Sequence, residues 1–467
     1  MGAAILPEST RPPLLPLFDS RNDTGKLDSK LVNGFLEKGQ DGNIWANKRP
    51  GLTTTQNIAV AGNGTGCYFW ARMGALYSVV GGNLYKEAIL VGAVPALGGF
   101  VTFGETLGTP AYLFIKGATG AYTVTSAGVF AQVVDADYPA NTVQGSAYLD
   151  GTTYVMDTAG RIWGSALNDP TSWDALNVIV PQIEPDLPIA IAKQLIYVVA
   201  FMASTTEIFY DAANPVGAPL LPVQNAKMSV GALQSDMIQS IDDVLYFQGI
   251  NKTSTPAIYK IEGVKLKKIS TAAIDKLLGF YVGIRSWQAR RGGHSYYGFK
   301  AQAVGSLVYD ISMDEWYIWT EAGDYLDIVA STSNTSGQSY LQSSATGSLF
   351  RSFNPDVYTD YSTYTNTVGA LKTDIITPNF DGGTRVKKYL AKLRLVADQN
   401  SGGSLKVCWS DDDYKTWSPW QVVNLQEDSP QLTQLGSFKK RAFWFQHESS
   451  TAFRMASAEM ELLAGDS

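Results

Sequence analysis

A short apolar strand, a turn carrying Gly or Asn, and a second strand ending on an aromatic recur seven times between residues 76 and 353. The hairpins open at Leu76, Ala111, Thr153, Ile196, Leu245, Tyr296 and Ser339. Their closing aromatics are Tyr85, Tyr122, Trp163, Phe209, Tyr259, Tyr309 and Phe350, which stand 37, 41, 46, 50, 50 and 41 residues apart. One hairpin cannot bury its apolar face alone. A hairpin repeated every ~40–50 residues therefore requires stacked units, and that spacing is the blade period of a propeller. The expected class is all-β, a β-propeller of six or seven blades. Such a fold is a scaffold, so function belongs to its rim, loops and appendages.

The flanking segments differ. Residues 1–55 read as an extended N-terminal arm and entry segment, because Pro7, Pro12, Pro13 and Pro16 forbid helix there. The start lacks a basic stretch followed by a clean apolar run, which favours an arm over a signal peptide. Pro50 and Gly51 mark a turn. The propeller is expected over 56–368, with strands near 56–73 closing the ring against the last blade. Within it, Ala272–Leu278 is the best helix, with Ser270 or Thr271 as N-cap and Gly279 as stop. Residues 369–467 alternate in strands with turns such as the one at Asn400, the pattern of a C-terminal β-sandwich or jelly-roll-like domain. The polar stretch Thr359–Asp374 suits a boundary.

Composition narrows the function. No run of about 18 apolar residues exists, so membrane insertion is not expected. A net charge of −7 argues against tight non-specific DNA binding. Cys67 and Cys408 fall in different expected domains and read as buried free thiols, which fits assembly in a reducing cytoplasm.

Candidate chemistry is sparse. Ser410, Asp412, Thr416 and Trp417 match an Asp-box hairpin, in which the Asp accepts backbone N–H bonds and the Trp packs beneath, but Tyr414 stands where a Gly is usual. That motif staples a fold away from any catalytic centre. A sialidase-like site also needs an arginine cluster, a Tyr nucleophile and an acid, and no local pattern assembles them. His294 and His447 have no second ligand at metal spacing and no G-x-S-x-G partner, and read as loop or strand-edge residues. Asp242–Asp243 and Asp411–Asp413 lack a calcium-loop spacing and read as solvated turns. Basic runs at Lys260–Lys268, Arg290–Arg291, Arg385–Arg394 and Lys439–Arg441 read as solvated or inter-subunit faces. No catalytic residue, metal or cofactor is expected.

The block Gly292–Trp319 runs Gly-His, a strand, a second strand ending Val308–Tyr309–Asp310, a turn, then Trp316 and Trp319. It resembles the tail-hub proteins of short-tailed phages (podoviruses), also named nozzle or packaged-DNA stabilization proteins. Leu31–Leu52, with Arg49, Pro50 and Gly51, resembles their N-terminal segment, the hairpin from Ile196 resembles one of theirs, and Lys406–Gln421 resembles their C-terminal strand–turn–strand.

The resemblance implies a structural virion protein, not an enzyme. Six copies would form a ring beneath the portal and its adaptor, extend the DNA channel, retain the packaged genome and support tail fibres or a needle. Double-stranded DNA would pass without sequence specificity. The virion tail, assembled in the host cytoplasm, would be its location. Two alternatives stand beside this: a carbohydrate-binding or glycan-degrading propeller, favoured by the Asp-box-like hairpin and the aromatic richness, or a monomeric adhesion module.

Overall fold

The computed structural model describes Arg11 and residues 29–464, apart from 41, 57–61, 182–183, 215–216, 225, 251–255, 279–284, 302–303, 322–323, 366 and 400–402. The prolines at 7, 12, 13 and 16, the helix stop at Gly279 and the turn at Asn400 lie outside the described residues. Described elements are almost all strands.

Among the described residues, seven four-stranded antiparallel units follow one another. The first runs Gly64–Trp70, Ala75–Val80, Asn83–Lys86 and Ile89–Ala93. The innermost strand of each unit touches those of its two neighbours, and the seventh returns to touch the first, so the units form a closed cycle. This is the β-propeller expected from the repeat. All seven closing aromatics lie on the third strand of their units. The fifth unit departs slightly, because two short strands, Gly231–Ala232 and Gln239–Ile241, share its inner position.

Closure comes from a different stretch than expected. Thr53–Gln56 pairs with Leu349–Arg351 and supplies the outer strand of the seventh unit. Gly64–Trp70 is the inner strand of the first unit and is not free to do so. The physical logic stands, since pairing a remote strand with the last blade removes an open edge.

Within the stretch expected as arm and entry segment, Lys30–Val32, Gly34–Lys38 and Ile44–Lys48 are strands. They join the C-terminal strands in two sheets. In one, Lys30–Val32 pairs with Thr373–Ile376, followed by Ala442–His447, Ser404–Ser410 and Gln421–Asn424. In the other, Gly34–Lys38 and Ile44–Lys48 join Arg454–Ala464, Lys388–Ala397 and Gln431–Thr433. The first sheet is continuous with the sixth unit, because Val32 pairs in parallel with Ile318.

Alternation builds the core between these sheets. Leu390, Leu393, Leu405, Val407, Phe443, Phe445, Met455 and Met460 all point inward and are buried. The same apolar cluster includes Trp287, Tyr296 and Trp319 of the sixth unit and Leu341 and Phe350 of the seventh. Propeller and C-terminal sheets therefore share one continuous core. The helix forms at Ala272–Leu278, with Thr271 Oγ1 accepting from the Ile274 N–H at 3.4 Å as N-cap.

Candidate functional site: the joint between propeller and C-terminal sheets

Asn33 turns the chain from one sheet into the other. Its φ of +53° belongs to the left-handed region that Asn tolerates better than most residues. Its Oδ1 accepts from Arg49 Nε at 3.2 Å and from the Thr320 N–H at 2.8 Å. Its Nδ2 donates to Thr320 Oγ1 at 3.1 Å and to the Lys372 carbonyl at 2.9 Å. One side chain thus ties the entry segment, the end of the sixth unit and the start of the C-terminal strands.

Arg49 is the centre of this joint. Its guanidinium donates twice to the Asp360 carboxylate, at 3.0 and 2.5 Å, and lies over the Trp319 ring at 5.5 Å. The pair is buried, with side-chain exposures of 1% and 7%, so removing either partner strands a charge in the interior. Asp360 Oδ1 also accepts from the Leu52 N–H at 2.9 Å. Gly51 is fixed by contact. A Cβ there would stand 1.8 Å from the Thr359 carbonyl oxygen, so only glycine lets the two backbones approach this closely. Its N–H donates to the Val357 carbonyl at 2.7 Å.

Two histidines flank the joint. His294 Nδ1 lies 2.8 Å from the buried Asp310 carboxylate, whose hydrogen bond raises the imidazole's affinity for a proton. Asp310 also accepts from the backbone N–H groups of Ser312 and Met313. His447 is buried and stacked on Phe453, with centroids 4.8 Å apart. Burial, reinforced by Lys48 Nζ at 3.4 Å, holds it down at about 4. Burial, with Arg49 beside it, pulls Lys48 itself down to about 8. Asp374 lies opposite, its Oδ1 accepting from Trp444 Nε1 and Gln446 Nε2 at 2.8 Å each, and burial raises its pKa. A cavity of about 690 Å³ sits against the joint, walled by Asn33, Thr320, Glu321, Asp360, Lys372 and Asp374. Its carboxylates are engaged by neighbouring donors; Glu321, for example, accepts from Thr363 N–H at 2.8 Å. This chemistry fastens segments together.

The sequence motifs divide among three places. Arg49, with Pro50 and Gly51 after it, sits in the joint, where its guanidinium meets Trp319. Tyr309, Asp310 and Trp316 sit beside it on the third and fourth strands of the sixth unit, where Tyr309 and Trp316 pack at 5.1 Å and Tyr309 donates to Asp314. The Asp-box residues lie on the C-terminal sheet. There Asp412 accepts from Thr416 N–H at 2.9 Å, Thr416 Oγ1 at 2.6 Å and Ser410 Oγ at 2.8 Å, and these bonds pull its pKa to about 2. Tyr414 takes the glycine position with φ +63°, buries its ring against Trp417 and donates to the Thr377 carbonyl at 2.9 Å. The turn keeps its form because a buried aromatic offsets the strained backbone.

The charged runs are largely exposed as expected, Arg385, Lys387, Arg394 and Lys439 among them, but single members are paired or buried. Asp411 holds Arg441 through two bonds of 2.7 Å, and Arg441 is 1% exposed. Lys388 is buried and donates to the Thr384 and Val386 carbonyls. Lys388 opens a strand with its side chain inward and Arg441 is buried just before another, where carbonyls and a carboxylate satisfy them. Cys67 and Cys408 are buried and unbonded to each other. Sequence reasoning missed Asn33 and Asp360. An Asn–Gly dipeptide at 33–34 is a turn signal that was present, whereas Asp360 lay within a stretch read only as a polar boundary.

No curated protein matches the chain. Among solved structures, the RRP9 WD40 repeats are 9% identical with a TM-score of 0.43, covering 66% of this chain and 100% of that one. A virginiamycin B lyase from Staphylococcus aureus, solved with quinupristin, is 10% identical with a TM-score of 0.42, covering 64% and 98%. The family model described as bacteriophage P22 Gp10, beta-propeller, matches residues 36–286, more than half of the 467-residue chain, and the chain belongs to that family.

Proposed function

We propose that this protein is the hub, or nozzle, of a short-tailed phage tail. Copies form a closed ring, six by resemblance, beneath the portal and adaptor. The ring extends the DNA channel, retains the packaged genome and supports fibres or a needle. The observation that carries this reading is the family match over residues 36–286. Family membership supports a structural phage protein of the virion, and the molecule's own physics supports the finer role.

The axial cup of the propeller is crossed at one end by Arg285, which lies over the Phe100 ring, so a single copy offers no open bore to a duplex. DNA must then pass between copies and not through one. A ring of copies provides that passage, and a closed cyclic assembly gives each copy the same two interfaces. The shared core and the buried Arg49–Asp360 pair make each copy stiff, as a part under the pressure of packaged DNA must be. In this reading residues 56–368, closed by Thr53–Gln56, are the propeller, the C-terminal sheets with the strands of Lys30–Lys48 are the lateral body, and the stretch before them docks onto a neighbour. A net charge of −7 favours a lumen that attracts DNA weakly and lets it slide.

The test is genetic. Particles assembled without this protein should package DNA and then lose it to added nuclease, with retention restored by supplying the protein. Particles lacking it that hold their DNA like the wild type would contradict the role.

A further inference from the structure

We propose that the axial cup of the propeller binds a neutral sugar. The proposal is independent of the hub reading. The cup holds about 670 Å³ and is walled by the inner strands of the units. Volumes of this order suit a small ligand held by a few convergent polar groups.

One end of the cup is crossed by a side chain. Arg285 precedes the inner strand of the sixth unit, lies over the ring of Phe100 in the linker entering the second unit, and donates to Asp236 of the fifth at 3.0 Å. In a cycle of seven, the second unit stands opposite the fifth and sixth, so Arg285 reaches across the axis. All three residues lie where inner strands begin. Where those strands finish, the cup opens beside Leu107 and Leu195, exposed by 71% and 48%.

The lining selects the ligand class. Gln288 and Thr102 line this cup, and the Oε1 of one and the Oγ1 of the other lie just behind its wall, closed off from solvent and without a hydrogen-bond partner. An unsatisfied buried polar group costs about 1–3 kcal/mol, and a turn of either side chain into the cup lets a ligand hydroxyl relieve it. Tyr68 and Phe103 stack on the wall with planes 12° apart and centroids 5.8 Å apart, offering apolar surface to the C–H face of a pyranose. The ionised groups are balanced. Asp236 is held by Arg285, Glu105 by the Tyr68 hydroxyl, and Lys193 and Asp243 line the cup with opposite signs. A neutral polyhydroxylated ligand fits this lining better than an ion does. With Asp236 and Glu105 engaged, the cup is suited to holding a sugar and not to the free carboxylate pair that hydrolysis requires.

Saturation-transfer NMR on the full chain, with glucose, galactose, mannose, rhamnose and N-acetylglucosamine each at millimolar concentration, tests this. At least one sugar should receive saturation on its ring C–H protons. Gln288→Leu and Phe103→Ala should each weaken that binding tenfold or more, while Asp412→Ala, on the C-terminal sheet, leaves it unchanged. Thr102→Val, which removes a hydroxyl at constant volume, replaces any cup variant whose circular dichroism melt shows misfolding. No transfer to any sugar would mean the cup holds water only and overturns the proposal, as would binding that survives the cup variants.

Discussion

Arg49 and Asp360 form a buried, two-pronged ion pair across 311 residues of sequence, locking the entry segment to the hairpin that follows the last propeller unit. Because both are dry, the pair is worth most when intact and costs most when half removed. Asp360→Ala should destabilise the protein by about 3–5 kcal/mol. Arg49→Leu combined with Asp360→Leu should cost clearly less than either single change, since no charge is left stranded. Chemical denaturation of the four variants reads the difference. Equal losses in the single and double variants would mean the pair acts through shape alone.

Gly51→Ala tests backbone contact in the same joint. Its Cβ would overlap the Thr359 carbonyl oxygen, 1.8 Å away, so the two strands must separate. The expected cost is about 1–3 kcal/mol or more. A thermal melt matching the parent protein would show that the joint is looser than described.

The joint also carries opposed pH responses. His447 binds a proton at about 4 when folded, against 6.5 for an ordinary imidazole. Between those values the unfolded chain holds the extra proton, so this site's contribution is full above 6.5 and is lost as pH falls toward 4. Its size is at most about 3 kcal/mol. His294 has the opposite sign. Its raised pKa gives stability present below 6.5 and lost as pH rises through the folded value. His447→Phe should flatten the stability profile between pH 4 and 6.5, and His294→Gln should flatten it above 6.5. Unfolding midpoints across pH 4 to 9 check both, and unchanged slopes would remove the histidines from the account.

At the Asp-box turn two effects compete. Tyr414→Gly relieves a left-handed backbone, worth about 1–2 kcal/mol. It also deletes a buried ring and its bond to the Thr377 carbonyl, worth about 3–5 kcal/mol by analogy with aromatic truncations in cores. The ring should win, giving a net loss of about 2 kcal/mol in denaturant unfolding. A stabilised variant would show that backbone strain dominates.

Local features were legible in the sequence and remote ones were not. Each hairpin announces itself within about fifteen residues, so the recurring unit, its aromatics and the helix at 272–278 could be read directly. Thr53–Gln56 carries no apolar pattern, TTTQ, and only its partner Leu349–Arg351 makes it a strand. The strands from Lys30 to Lys48 were obscured by the prolines before them, since their apolar faces find a core only against residues more than 200 positions later. The motif residues Arg49 and Gly51 drew notice as a turn, but the reason they are needed, Asp360 and Thr359, sits in a polar stretch whose composition resembles a linker. Lys388 and Arg441 looked solvated because charge is usually exposed, and their carbonyl and carboxylate partners are fixed only by tertiary structure.

In the proposed role, copies of this chain assemble around DNA. Electron microscopy of the purified protein, alone and mixed with portal–adaptor complexes, tests it most directly. Closed rings are expected, free or templated on the adaptor, with a lumen between copies wide enough for a duplex. A protein that stays monomeric at high concentration and ignores the portal–adaptor complex would contradict it.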